Sequence, residues 1–155
     1  MKRAMVLLSV ISIIFISFSP ILAQTWVDNP ALPEGYAAWP YTKTTACGNV
    51  TETIWARTGQ NSLEYVLETR MSGELIAYEY LMSDSAKPKS SSVFLKQDDK
   101  WIKFNGMNNA EYNIFLGQLE TMLKIDGNSD ACLVKLDDEL NDLLSSLLIN
   151  IRSQI

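Results

Sequence analysis

The chain has 155 residues, with 13 Lys and Arg against 18 Asp and Glu, 47% hydrophobic side chains, two cysteines and no histidine. That balance belongs to a globular domain and excludes collagen-like, coiled-coil and disordered classes. Without an imidazole, a Ser-His-Asp triad, a Cys-His dyad, a His-ligated metal and a histidine pH switch are excluded as well.

The chain opens with an export pattern. Lys2 and Arg3 precede an apolar run over 5–18, Pro20 interrupts it, and Ala23 supplies a small residue before Gln24. A helix breaker just upstream of a small residue presents the extended backbone that a signal peptidase cuts, so residues 1–23 are expected to be a signal peptide removed after Ala23. Removal takes the basic and acidic counts from 13 and 18 to 11 and 18, a net charge of −7. An acidic mature domain disfavours nucleic acid and anionic membrane surfaces as partners, and no membrane span is expected after cleavage. Export exposes the thiols to oxidising conditions, so Cys47 and Cys132, 85 positions apart, are expected to pair.

Residues 24–48 hold Pro30, Pro33 and Pro40 among Trp26, Tyr36, Trp39 and Tyr41 and show no sustained periodicity. They are expected to form an extended strap. Residues 50–104 read as an antiparallel meander with two-residue turns at Gly59-Gln60, Ser72-Gly73 and Asp98-Asp99. The first turn implies Ala56 opposite Leu63 and Ile54 opposite Tyr65. The second implies Thr69 opposite Ile76, Leu67 opposite Tyr78, Tyr65 opposite Tyr80 and Leu63 opposite Met82. The third pairs Leu95 with Ile102 and Val93 with Phe104. A polar loop is expected over 83–92.

Two helices close the chain. Asn108 and Glu111 stand at capping-box spacing before Tyr112, Phe115, Leu116, Leu119, Met122 and Leu123 at helical intervals. Leu136, Leu140, Leu143, Leu144, Leu147 and Ile151 mark one side of the second helix, with Asp137, Asp138, Glu139 and Asp142 near its start. Strands first and helices last predict an α+β fold: a five-stranded antiparallel meander with both helices on one face, forming a single domain over 49–155 after the strap.

Several segments invite a chemical reading. Asp126, Asn128 and Asp130 between the helices resemble the opening of an EF-hand calcium loop, with Asp137 at its twelfth position. Ala131 replaces the turn glycine, Asp137 is shorter than the usual Glu, and Cys132 is claimed by a disulfide. The plainer reading is an interhelix loop in which Asp130 caps the second helix. Glycoside chemistry needs two carboxylates and no histidine, and Asp98-Asp99 or the trio Glu64, Glu68 and Glu79, expected on one sheet face, supply them. Solvated surface acids are the plainer alternative. Ser90, Ser91 and Ser92 beside Lys87 and Lys89 read as a flexible loop rather than a Ser-Lys site. Asn49-Val50-Thr51 is a glycosylation sequon.

The sheet face turned away from the helices is expected to carry Trp55, Val66, Leu75, Leu81, Phe94 and Trp101 among charged residues, with Trp101 opposite Lys96 for cation–π stacking. That face is too apolar for open water and too charged for a core. Either the strap covers it, or these six residues receive a ligand or partner. The leading expectation is an exported, secreted non-enzymatic binding protein for an apolar small molecule, held between sheet and helices, or for a protein partner. No cofactor is expected. A small His-free hydrolase using two carboxylates and a calcium-stabilised envelope component are the alternatives.

Overall fold

The structure, a computed structural model, describes residues 24–84 and 87–152. The expected export segment over 1–23 and the side chain of Ile151 lie outside the described residues. Seven strands and two α-helices follow in chain order, with a single 3-10 turn at Tyr36–Ala38: β1 (Thr25–Val27), β2 (Tyr41–Cys47), β3 (Val50–Thr58), β4 (Ser62–Met71), β5 (Glu74–Asp84), β6 (Lys87–Gln97), β7 (Lys100–Asn105), α1 (Asn109–Ile125) and α2 (Asp130–Arg152). The strands form one antiparallel sheet in the order β1-β7-β6-β5-β4-β3-β2.

The fold is α+β, as its order of elements implies, but the sheet has seven strands rather than five. Both additions come from the expected strap, whose ends pair as edge strands: β1 on β7 and β2 on β3. The prolines between them stand outside the ladders, where a missing N–H costs nothing. The polar stretch expected as a loop over 83–92 is largely strand, with β5 and β6 paired out to Asp84 and Lys87. A ladder is made by backbone groups, and serine and lysine do not interrupt it.

The hairpin registers carry the main correction. Ala56 faces Tyr65 and Ile54 faces Leu67, a two-residue slide from the expected pairing that leaves each residue on its expected face. The Ser72-Gly73 turn forms with φ of 53° and 83°, the left-handed values a tight hairpin turn uses. Beyond it the register shifts by one between Thr69 and Arg70, so Thr69 pairs with Ala77, Leu67 with Glu79, Tyr65 with Leu81 and Leu63 with Ser83. At this bulge the neighbours Ile76 and Ala77 are both buried in clusters under the helices. Past it, Glu79 and Leu81 turn to the helices, while Tyr78 and Tyr80 turn away. A bulge inverts every later side chain of its strand. The third hairpin keeps its expected register, Leu95 with Ile102 and Val93 with Phe104.

The helices divide the covered face. Leu140, Leu143, Leu144 and Leu147 of α2 pack on Ile54, Ala56, Leu63, Tyr65 and Leu67. Tyr112, Phe115, Leu119 and Met122 of α1 pack on Ala77, Val93, Leu95, Ile102 and Phe104. Leu123 and Leu136 meet over Val50 and Ile76. There the Cys47–Cys132 disulfide ties the end of β2 to the start of α2. Closing a loop of that length stabilises the fold by roughly 4–5 kcal/mol in the chain-entropy treatment.

The Asn108 side chain caps α1, accepting from Ala110 N at 3.0 Å and Glu111 N at 3.3 Å, while Glu111 accepts from Asn105 N. At the start of α2 the capping oxygen is that of Ser129, which accepts from Cys132 N, and not that of Asp130. Asp130 instead pairs with Lys124 at 2.8 Å.

Candidate functional site

Because β1 and β2 lie on opposite edges, residues 28–40 cross the sheet face that the helices leave bare. Tyr36 donates a 2.6 Å hydrogen bond to Glu68 and packs edge-on against Trp55, with ring centroids 5.3 Å apart. Trp39 lies under the Arg57 guanidinium, 4.5 Å from its ring centre. Of the six residues expected to meet a partner, Val66, Phe94 and Trp101 are buried, at 0%, 1% and 8% exposure. Trp55 and Leu75 are half-buried on this face. Leu81 is not on it, because the bulge sends it to the helix side, where it packs against the cluster of Ile54, Ala56, Leu63, Tyr65, Leu67 and Leu147. Trp101 stands opposite Lys96, but Lys96 pairs with Glu74 at 2.8 Å and Trp101 packs on Tyr78.

The carboxylates are dispersed. Asp98 and Asp99 are exposed at a hairpin tip. Glu64 bonds to Tyr80 and Arg57, and Glu68 to Tyr36 and Arg70, all on the strap side. Glu79 lies on the helix side and accepts from Tyr65 at 2.9 Å, so the three glutamates do not share a face. The calcium-loop residues do not converge either. Asp126 accepts from the Asn49 amide, buried Asn128 donates to the Leu123 carbonyl at 2.9 Å, and Asp130 holds Lys124. Among the described residues no cluster of three or more His, Cys, Asp or Glu is placed to hold a metal.

Asp137, the fourth of that set, belongs to a different place. It lines a groove of about 430 Å³ between α1 and α2, whose walls are Leu116, Leu119 and Leu123 on one side and Leu133, Val134 and Leu136 on the other. Leu116 and Val134 stay 42% and 57% exposed on its facing rims. Glu52 of β3 closes it from the sheet, and Glu120, Lys124 and Asp130 complete the lining.

Glu52 begins a polar seam across an otherwise apolar face. It accepts a long 3.4 Å contact from Thr69, its partner on β4, and its Oε2 is buried with no hydrogen-bond partner. Burial first, then the nearby Asp137 charge, push its carboxyl up to about 7. Burial also raises Glu79, against the opposing hydrogen bonds from Tyr65 and Tyr112. Asp137 is raised by burial and by Asp138 and Glu120. An acid held away from its usual range beside a concave apolar surface marks a candidate binding site.

Glu79 is expected with Glu64 and Glu68 on the other face, and Tyr65 and Tyr112 as core positions; Glu52 alone of this seam is absent from the sequence-based expectations. Glu52 did carry a signal: alternation from Ile54 and Ala56 places an acid on the face the helices cover. A comparison with known protein families, curated proteins and solved structures gives no match for this chain.

Proposed function

We propose that the protein is an exported, non-enzymatic binding protein that holds an apolar small molecule between its two helices. The interhelix groove carries this reading. Its volume lies within the range of small-molecule sites, its walls are leucine and valine, and a few polar groups gather at its base. The opposite sheet face is taken by the strap, which favours the groove over a partner seated on Trp55 and Trp101. The Cys47–Cys132 disulfide supports export.

Titration with a neutral apolar fluorophore such as Nile red tests the site. Val134 is half-exposed on the rim, so Val134→Trp narrows the groove without disturbing the core. The variant is expected to keep its melting temperature and to bind roughly tenfold more weakly, about 1.4 kcal/mol. Unchanged binding in the folded variant would remove the groove as the site.

A further inference from the structure

We infer that the groove selects an organic cation with an apolar body, of the alkylammonium class, whose chain lies along the leucine walls and whose charged head sits at Glu52 and Asp137. The inference rests on the groove being the binding site and adds what the site recognises.

Charge complementarity carries it. The groove lining holds Glu52, Glu120, Asp130 and Asp137 against a single base, Lys124. Lys124 is already committed at the rim, where it pairs with both Glu120 and Asp130. Among the described residues neither Glu52 nor Asp137 forms an ion pair, and Glu52 Oε2 is a buried acceptor without a donor. A buried acceptor left unpaired is costly, and a donor that arrives with a ligand recovers that cost. An ammonium brings three donors and a positive charge to two carboxyls that otherwise repel one another. A carboxylate ligand would meet acids, and an alcohol would satisfy the acceptor without offsetting the charge. An apolar chain longer than the head is required too, because most of the wall is Leu116, Leu119, Leu133 and Val134.

The setting of Glu52 also fixes the proton balance. Asp137 faces it from α2, Glu79 and Thr69 from the sheet, Tyr112, Glu120 and Lys124 from α1, and Lys43 and Glu139 across the small void beside β2. Near neutral pH a large share of the Glu52 carboxyl is protonated. An entering ammonium favours the ionised form, so the carboxyl proton leaves to solvent as the ion pair forms. Affinity therefore rises with pH through the neutral range, as long as the amine itself stays protonated.

Calorimetric titration with three probes of equal chain length decides the matter: octylammonium, octanol and octanoate, each below its micellar concentration. At about pH 8 octylammonium is expected to bind roughly tenfold or more tightly than the other two. It should release protons on binding, seen as a heat that varies with the buffer's ionisation enthalpy. In variants that melting curves show to be folded, both Glu52→Gln and Asp137→Asn should remove most of that preference, bringing octylammonium down to about the affinity of octanol, and Glu52→Gln should abolish the proton release. Octanol or octanoate binding as tightly as octylammonium would overturn the cation selectivity and leave the apolar groove standing. Failure of all three probes, with Nile red also excluded, would overturn the groove and the inference together.

Discussion

Tyr65 on β4 donates a 2.9 Å hydrogen bond to Glu79 on β5, beneath the helices and out of reach of solvent. A carboxyl at that depth is tolerated because phenol donors meet it, and Tyr65 is the one that the sheet supplies. Tyr65→Phe keeps the ring and removes the donor. The expected loss is about 1–3 kcal/mol, the usual cost of a stranded buried acceptor. Urea melts of the two proteins measure it, and a loss within error of zero would mean Glu79 relies on other partners.

The same seam gives the fold an unusual pH profile. Glu52, Glu79 and Asp137 are all raised, so across the window above their ordinary values the folded state binds more protons than the unfolded chain. Stability therefore falls as pH rises. For Glu52 the window runs from 4.5 to about 7, and its share is roughly 3 kcal/mol at full ionisation. The protein is expected to melt higher near pH 5 than near pH 8. Glu52→Gln should flatten much of that slope. A melting temperature that climbs from pH 5 to pH 8 would contradict the assignment.

Trp101 tests the strap. It is 8% exposed and packs on Tyr78 with ring centroids 5.3 Å apart, on the face that residues 28–40 cross. Trp101→Ala is expected to cost about 3–5 kcal/mol, as for other large buried aromatics. Nile red binding at the interhelix groove should survive at temperatures where the variant is folded. A stable variant with weakened capture would instead make this face the recognition surface.

What the sequence disclosed follows from where its signals are local. The helices and the last hairpin are set by caps, apolar spacing and a two-residue turn, each readable over a few positions, and the Cys47–Cys132 pair is the one pairing that two cysteines allow. The inversion of β5 is not local. Leu75, Ile76, Ala77 and Tyr78 form a continuous apolar run that marks no bulge by itself, and the bulge arises because Ile76 and Ala77 both find space under α1 and α2. That single extra residue moves Leu81 out of the expected binding face and moves Glu79 into the core. It also explains why three glutamates expected together are separated.

The groove was hidden for a related reason. Leu116 and Leu123 on α1, and Leu136 on α2, read as parts of two core stripes. Only the spacing of two long helices on a wide sheet leaves a channel between them. Edge strands β1 and β2 were masked by the prolines around them, which mark where the chain leaves the sheet and not whether it returns.

Gly48 supplies the last test, because it joins the sheet to the loop between the helices. It sits in the β2–β3 turn with φ of +60°, and a Cβ built there would fall 2.6 Å from Asn128 Oδ1 and 3.8 Å from the Cys132 sulfur. Asn128 cannot yield easily, since it is buried and its amide holds the Leu123 carbonyl at the end of α1. Gly48→Ala therefore meets two penalties, a left-handed backbone that disfavours a side chain and a neighbour with no room to move. The expected loss is about 1–3 kcal/mol. Gly73 is the internal control: it has φ of +83° and open space around it, so Gly73→Ala carries the backbone penalty alone. Thermal melts of the two variants should rank Gly48→Ala as the more damaging. Equal losses would show that the turn and the interhelix loop are not in contact.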